Sequence, residues 1–493
     1  MPPSKNWNFA GRLVERLGAR SQLLDAAIGR TTNPGDLQRL IASYGATLLS
    51  AGLKRGDRVL MGCTLSIQSA LTYLGAMYAG LVAVPVDERA LSTSAASMIR
   101  TVGAEAVWSE TTLASERTGV LHLHSDLAAK GTAIPPPAAC EASDLAALML
   151  TSGSTGVPRF VMVSHGNLIA NTEAIVHSQR LGTDERAMVV LPVNYCFGAS
   201  LLHSHLYQGG SVVFDRRFMF PNKVLQSMAD FACTTFAGVP TVYNVLLRRS
   251  NLRQMAFPTL RRFLQAGGAL GREKVDEMRE AFPGIEFYVM YGQTEATARI
   301  SCLEPERWEA KHGSVGRALE NLTVSSVDDE GHELSAGQVG ELLVKGPSVC
   351  LGYWNDPEET RRVFRNGWLH TGDLVRRDEE GYLWIEGRKG AFLKIRGTRV
   401  SLAEIEGTVA AIPGIYECGA CAVAHPEAGE ALVLMVVPDK KARIEAEQIR
   451  RSLPAHWTLD SIRLVSELPK TPTGKLARSE LTKWTKKGYA AIG

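Results

Sequence analysis

The chain has 493 residues, with 54 basic against 51 acidic side chains, a formal net charge of +3, 45% hydrophobic and 21% charged residues. That length exceeds a single ordinary core and suggests several domains or subdomains, and the composition excludes disordered and collagen-like chains. A balanced charge without a long single-sign run leaves no broad nucleic-acid footprint, and no stretch approaches the ~20 apolar residues that cross a bilayer.

The N-terminus has no apolar run followed by a small-residue cleavage site, so a cytoplasmic protein with no membrane or nucleic-acid partner is expected. The first clear helix opens at Asp36: Leu37, Leu40, Ile41, Tyr44, Leu48 and Leu49 recur on one face, with Asp36 placed to cap and Gly52 to stop. After the turn "KRGD" come an apolar strand "RVLMG", a helix across "SIQSALTYLGAMYAG" and a strand "LVAVPVD". This β-α-β alternation implies parallel strands.

"GTAIPPPAACEAS", residues 131–143, is Pro-rich and reads as a surface connection into the next strand. Apolar runs return at "SVVFD", "CTTFAGVP" and "IEFYVMYG", each beside helical periodicity, so the large region should hold more than one sheet. After about residue 387, shorter elements follow ("AFLKIRG", "LAEIEGTVAAI", "GACAVAH", "ALVLMVVP"), as in a small α+β domain. The expected fold class is α/β: a large N-terminal multi-sheet domain, 1–388, and a small C-terminal α+β domain, 389–493, joined by a hinge near Lys389 and Gly390.

Eight cysteines scattered over so long a chain fit reduced thiols rather than a disulfide framework. Cys418 and Cys421 have C-x-x-C spacing but no second pair and lie beside a β-like run, so buried small residues are expected there. His203 and His205 likewise have no nearby third ligand.

Chemistry enters at "LMLTSGSTGVPRF", residues 148–160. Glycine permits the positive-φ turns that aim backbone N–H groups inward, so a Gly/Ser/Thr loop can cradle an anion, and phosphate is the natural guest. The pattern G-x-x-x-x-G-K-[ST] is absent, and Pro158 followed by the alternating "RFVMVSH" predicts a second strand where a P-loop begins its helix.

With its flanks, "LMLTSGSTGVPRFVMVSHGN" resembles the phosphate loop of the adenylate-forming superfamily, which includes acyl-CoA synthetases, free-standing adenylation enzymes and beetle luciferases. "YGQTEA" (291–296), "GELLVKGPSVCLGYWNDPEET" (340–360), "WLHTGDLVRRDEEGYLWIEGR" (368–388), "KIRGTRVSLAEIE" (394–406) and "PKTPTGKLAR" (469–478) resemble its remaining signatures, in the family's order. The resemblance implies a two-step reaction. A carboxylate attacks the α-phosphate of ATP and releases pyrophosphate, and the acyl-adenylate then reacts with a thiol. Two anions must meet, so pre-aimed donors and cations are needed where water does not screen them.

By that resemblance Thr151, Ser152, Gly153, Ser154, Thr155 and Gly156 wrap the β- and γ-phosphates, with Arg159 at a position usually held by lysine and Phe160 in place of the usual glycine. An arginine keeps the charge but changes the geometry. Thr294 is expected on the α-phosphate and Glu295 on Mg²⁺, a task suited to one carboxylate plus substrate oxygens. Gly267, Gly268 and Ala269 of "QAGGAL" would take the adenine side, and Asp373 the ribose diol, helped by Arg388. Tyr291, Gly292, Gln293 and Ile385 complete the implied ATP-binding set, and Lys475 would bridge the acyl carboxylate and the α-phosphate.

"LPVNYCFGAS" matches the family's acid-pocket segment, so Tyr195, Phe197, Gly198, Ala199, Gly238, Val239, Ala269 and Met290 are implied pocket walls. Gly198 stands where amino-acid-activating relatives carry an aspartate; a buried ammonium without a carboxylate is costly, so a small-to-medium acyl or aryl acid is expected. Family members rotate the small domain between half-reactions. Gly390 falls at the hinge, and Lys394, Arg396 and Gly397 fall on the segment lining the thiol's entry. The thiol would be that of CoA or of the phosphopantetheine arm of an acyl carrier protein arriving in trans. The departures at Arg159, Phe160 and Gly390 keep one other class open, a nucleotide-binding module without catalysis.

Overall fold

The computed structural model describes residues 6–111, 120–124, 135–151, 159–389, 392–395, 398–410, 412–425, 429–439, 444–453, 459–470 and 476–486. Helix Leu37–Ser50 forms where the apolar spacing put it, with Gly52 just beyond its end at φ +99°; Asp36 holds the N-cap position, but its side chain makes no capping hydrogen bond. Its buried face includes Ile41, Ala42, Tyr44, Gly45 and Leu48, whereas Leu49 is 42% exposed. The partner decides this. A Cβ at Gly45 would stand 2.7 Å from the carbonyl oxygen of Gly75 in helix Ile67–Tyr78. Two facing glycines bring the backbones together, and ridge-into-groove packing at that point turns Leu49 outward.

Strands Arg58–Cys63 and Val82–Asp87, on either side of that second helix, pair in parallel as the alternation implied. Among the described residues they belong to a six-stranded sheet that ends in the antiparallel pair Leu145–Thr151 and Arg159–Ser164. The strand expected after Pro158 is therefore present. Phe160 lies buried in the cluster of Val84, Val86 and Leu148, so packing accounts for this departure from glycine. The Pro-rich approach is not a loose surface connection in its described part. A Cβ on Gly11 would touch Pro137 at 2.8 Å, Asn8 Nδ2 donates to the Ala138 carbonyl at 3.1 Å, and Cys140 is buried.

A second sheet, nine-stranded among the described residues, has a parallel centre formed by Arg186–Val189, Ser211–Phe214, Thr235–Gly238, Arg262–Gln265 and Glu286–Tyr291. Buried on both faces, such strands are continuous apolar runs, which is how they read in the sequence. The segments around 190–198, 266–269 and 291–296 leave the carboxyl ends of these strands, the edge at which open α/β sheets hold their ligands. In a third sheet, strand Trp368–Arg377 pairs with Leu383–Arg388, setting Asp373 opposite Arg388.

The fourth sheet contains Phe392–Ile395, Thr398–Ser401, Ile415–His425, Gly429–Pro438 and Leu459–Leu464, accompanied by helices Leu402–Ala410, Ala446–Ser452 and Arg478–Lys486. It carries its own apolar clusters, with Ile405, Leu432 and Leu434 in one and Val433, Met435 and Leu481 in another. Residues three apart on a strand face opposite sides. Cys418 accordingly packs on the first cluster and Cys421 within the second, so the two sulfurs cannot share an ion. This unit meets the rest of the chain where the Arg249 guanidinium sits 4.7 Å from the ring centroid of Tyr416. His203 and His205 are buried in helix Cys196–Tyr207. Among the described residues no helix is long and apolar enough to cross a membrane.

Candidate active site

The sharpest local constraint is at Gly292, just after strand Glu286–Tyr291: a Cβ there would lie 1.8 Å from the Ala298 carbonyl oxygen. Only glycine lets the chain double back so tightly. The return is fixed by Thr297, at φ +68°, whose hydroxyl donates to the Ser348 carbonyl at 2.6 Å. The intervening turn Thr294–Ala296 presents two side chains. Thr294 Oγ1 lies 3.5 Å from Cys196 Sγ, and Glu295 Oε1 accepts a 2.8 Å hydrogen bond from the Tyr353 hydroxyl. Burial, then the Glu295 carboxylate, pushes the Tyr353 phenol well above its usual range, so it stays a donor.

Asp373 follows Gly372, which takes φ +70°, and its own N–H donates to Thr371 Oγ1 at 3.1 Å. The Tyr291 hydroxyl donates to Asp373 Oδ2 at 2.5 Å, and burial and that carboxylate both hold the phenolic proton in place. Gln293 Nε2 reaches the Tyr291 hydroxyl at 3.5 Å, and Arg388 Nε stands 3.9 Å from Asp373 Oδ1. Ile385 pairs with Val375 on the same two strands.

Arg159 is engaged by protein carboxylates. Its Nε donates to Asp356 Oδ2 at 3.1 Å and its Nη1 lies 3.5 Å from Glu359, with the guanidinium 5.7 Å from the Tyr353 ring centroid. Tyr353 thereby links Glu295 to the arginine that follows the Gly/Ser/Thr loop. Thr151 ends its strand with Oγ1 3.4 Å from the Arg159 carbonyl, while Ser152, Gly153, Ser154, Thr155 and Gly156 lie outside the described residues.

Some of the residues expected to wall the pocket are neighbours: Tyr195, Phe197 and Val239, together with Gly267. Gly267, at φ +85°, lies beneath the Tyr195 hydroxyl, 2.4 Å from where its Cβ would be, with Val239 Cγ1 at 3.0 Å. Tyr195 meets Phe197 edge-on at 6.4 Å between centroids, and burial pushes the Tyr195 phenol up. Gln265 Nε2 closes the 265–268 turn by donating to the Gly268 carbonyl at 2.7 Å. A Cβ on Gly238 would stand 2.7 Å from Val242 Cγ1. Phe197, Ala199, Val239 and Met290 are buried, whereas Ala269 is exposed. Gly198 has a steric reason to be glycine, because a Cβ would stand 2.2 Å from the Pro192 carbonyl oxygen and 2.5 Å from that of Leu191.

Lys475, Gly390, Arg396 and Gly397 lie outside the described residues, and Lys394 lies on strand Phe392–Ile395, paired in register with Arg399. Sequence reasoning gave no role to Cys196, Arg299, Tyr353, Asp356 or Glu359. Three of these stand in the quoted stretch "GYWNDPEET", but nothing local announces that Asp356 meets a residue 197 positions away.

The AMP-binding enzyme family matches residues 16–354, and the AMP-binding enzyme C-terminal domain matches 404–475. A feruloyl-CoA synthase of an Amycolatopsis species is 29% identical over 466 residues, covering 92% of this chain and 94% of the relative. A long-chain fatty acid CoA ligase of Escherichia coli O157:H7 is 31% identical over 487 residues, covering 87% and 86%. The crystal structure of ATP-bound MatB from Rhodopseudomonas palustris superposes with a TM-score of 0.89 at 28% identity, covering 99% of this chain and 100% of that one. The chain therefore belongs to the AMP-binding enzyme family, as an AMP-forming carboxylic acid–thiol ligase of the acyl- or aryl-CoA ligase type.

Proposed function

We propose that this chain joins a small-to-medium carboxylic acid to the phosphopantetheine thiol of CoA in two steps. An acid oxygen attacks the α-phosphorus of ATP, the bond to the β-phosphate breaks, and pyrophosphate leaves. The CoA sulfur then attacks the acyl carbon, and AMP leaves. The observation that carries this reading is the reach of one short turn. Thr294 touches the pocket segment at Cys196, and Tyr291, at the end of the preceding strand, touches Asp373. The residues assigned in this reading to the acid, the α-phosphate and the ribose are thus neighbours, which supports it because an in-line transfer requires such proximity. The CoA enzymes among the relatives favour CoA over a carrier protein as the acceptor.

In this reading Thr151–Gly156 and Arg159 take the terminal phosphates, Gly267, Gly268, Tyr291, Gly292, Gln293 and Ile385 line the nucleotide, and Asp373 and Arg388 hold the ribose. Tyr195, Phe197, Gly198, Ala199, Gly238, Val239 and Met290 surround the acid. Glu295 suits Mg²⁺: Tyr353 orients one carboxylate oxygen, and the other has no hydrogen-bond partner among the described residues. A hard cation there would share its charge with phosphate oxygens. The large and small domains would divide at 388/389, with Gly390 the hinge and Lys394, Arg396 and Gly397 lining the thiol's path.

Lys475 would supply the ammonium that lets two anions approach. The test is acid-dependent pyrophosphate release. Lys475→Ala is expected to abolish nearly all of it while ATP still binds. Near-normal release by that variant, or no acid-dependent release by the parent chain, defeats the reading.

A further inference from the structure

One charged side chain is buried against the proposed acid pocket and has no part in the chemistry above. Arg299 is 2% exposed, and its guanidinium lies 5.0 Å from the ring centroid of Phe197. Its Nη1 is directed at Met290 Sδ, and the side-chain nitrogen of Gln179 reaches the same sulfur at 3.3 Å. Two donors thus converge on a thioether, a weak acceptor. Among the described residues no hydrogen bond reaches Arg299 Nε or Nη2, and no carboxylate pairs with the group. The titratable neighbours that act on it are Cys302, Cys196 and Tyr195, two thiols and a phenol rather than carboxylates, and burial pushes the Cys302 thiol and the Tyr195 phenol up. Gln179 Oε1 also has no hydrogen-bond partner.

A guanidinium keeps its proton in proteins, so burial lowers its pKa without removing its charge. An uncompensated buried charge is costly, and the cation–π contact with Phe197 offsets only part of that cost. The backbone holds the side chain's root in place: Asn171 accepts from the Arg299 N–H at 3.3 Å and donates to its carbonyl at 2.9 Å. The chain just before it is wedged against Gly292. Fixed donors and a cationic charge therefore meet at Met290, and among the described residues no carboxylate receives them. A ligand carboxylate supplies what is missing, and its two oxygens match the planar fork of a guanidinium.

We propose that Arg299 reads the distal carboxylate of a dicarboxylic acid that this enzyme activates at one end. This rests on the ligase reading above. The carboxylate that reacts belongs beside Thr294 and Glu295, which are partly exposed, whereas Arg299 is buried along with Phe197 and Met290. Arg299 is thus a specificity residue: it touches the substrate but not the reacting atoms.

The experiment measures pyrophosphate release with dicarboxylic acids, their half-esters and monocarboxylic acids of equal length. The parent enzyme is expected to favour the diacid in kcat/KM by on the order of 100-fold, as desolvated charge pairs do. Arg299→Met should remove that preference by lowering diacid turnover, leaving monoacid turnover equal or higher, and Arg299→Lys should retain part of it. ATP binding and the thermal midpoint of each variant show that it is folded; if Arg299→Met is not, the parent panel and Arg299→Lys decide. Parent turnover of monoacids without a preference for diacids overturns this proposal and leaves the ligase reading intact. Equal loss of both substrate types in folded Arg299→Met also overturns it, because that is what a structural arginine or a partner of the reacting carboxylate would give. Failure of every acid to release pyrophosphate overturns both proposals.

Discussion

Arg159 Nε donates to Asp356 Oδ2 at 3.1 Å, so the residue that opens the strand after the Gly/Ser/Thr loop is tied to the N-cap of helix Pro357–Val363. The backbone N–H of Glu359 donates to Oδ1 of the same Asp356 at 3.1 Å. One carboxylate thus braces both the helix start and the loop's exit. Arg159→Met should raise the KM for ATP by roughly tenfold, the scale of one charge-assisted hydrogen bond, and lower the thermal midpoint as well. ATP titrations of pyrophosphate release check it; an unchanged KM would mean that Arg159 serves only as a brace.

Tyr291→Phe removes the 2.5 Å hydrogen bond to Asp373 while leaving the ring in place. A bond to a carboxylate contributes about 1.5–3 kcal/mol, so ATP binding should weaken by roughly tenfold or more, with a small effect on folding. Calorimetric titration with ATP measures it. Affinity equal to the parent's would separate Tyr291 from the ribose site.

Gly198→Asp cannot create an amino-acid site here, because backbone oxygens stand 2.2 and 2.5 Å from the new Cβ. The substitution should destabilise by about 3 kcal/mol or more, in the range of severe core overpacking. Thermal melts test this, together with amino-acid-dependent pyrophosphate exchange. A stable variant that activates an amino acid would refute the steric argument.

His203 lies buried between Phe9 and Tyr73, its ring 4.8 and 5.6 Å from theirs, and Nε2 has no hydrogen-bond partner. Burial lowers its pKa to about 3, from an ordinary value of 6.5. As pH falls below 6.5 the unfolded chain takes up the proton first, so stability is lost from there down toward the folded value, and nothing changes above it. His165 and His205, both lowered to about 4 by burial, add to the same acid limb. His203→Phe should flatten that limb by up to about 1.4 kcal/mol per pH unit and leave stability near pH 7.5 little changed. Melting curves between pH 7.5 and 4.5 provide the comparison, and an unchanged slope would contradict it.

The sequence by itself determined the element types and the chemistry of the linear motifs. Apolar runs reported the parallel strands because both faces of such strands are buried, and the spacing after Pro158 reported a hairpin in place of a P-loop helix. Tyr291–Glu295, Asp373 and the pocket segment could be singled out as candidates because each lies in a contiguous motif. What only the tertiary structure decided were pairings between distant segments: Arg159 with Asp356, Tyr353 with Glu295, Gly45 with Gly75, and Arg299 against Phe197 and Met290. Local spacing sets which face a side chain occupies on its own element, whereas the group it meets depends on how separate elements pack. Leu49 therefore turned outward and Phe160 inward, and a buried cation without a carboxylate partner among the described residues came to light only once the sheets were assembled.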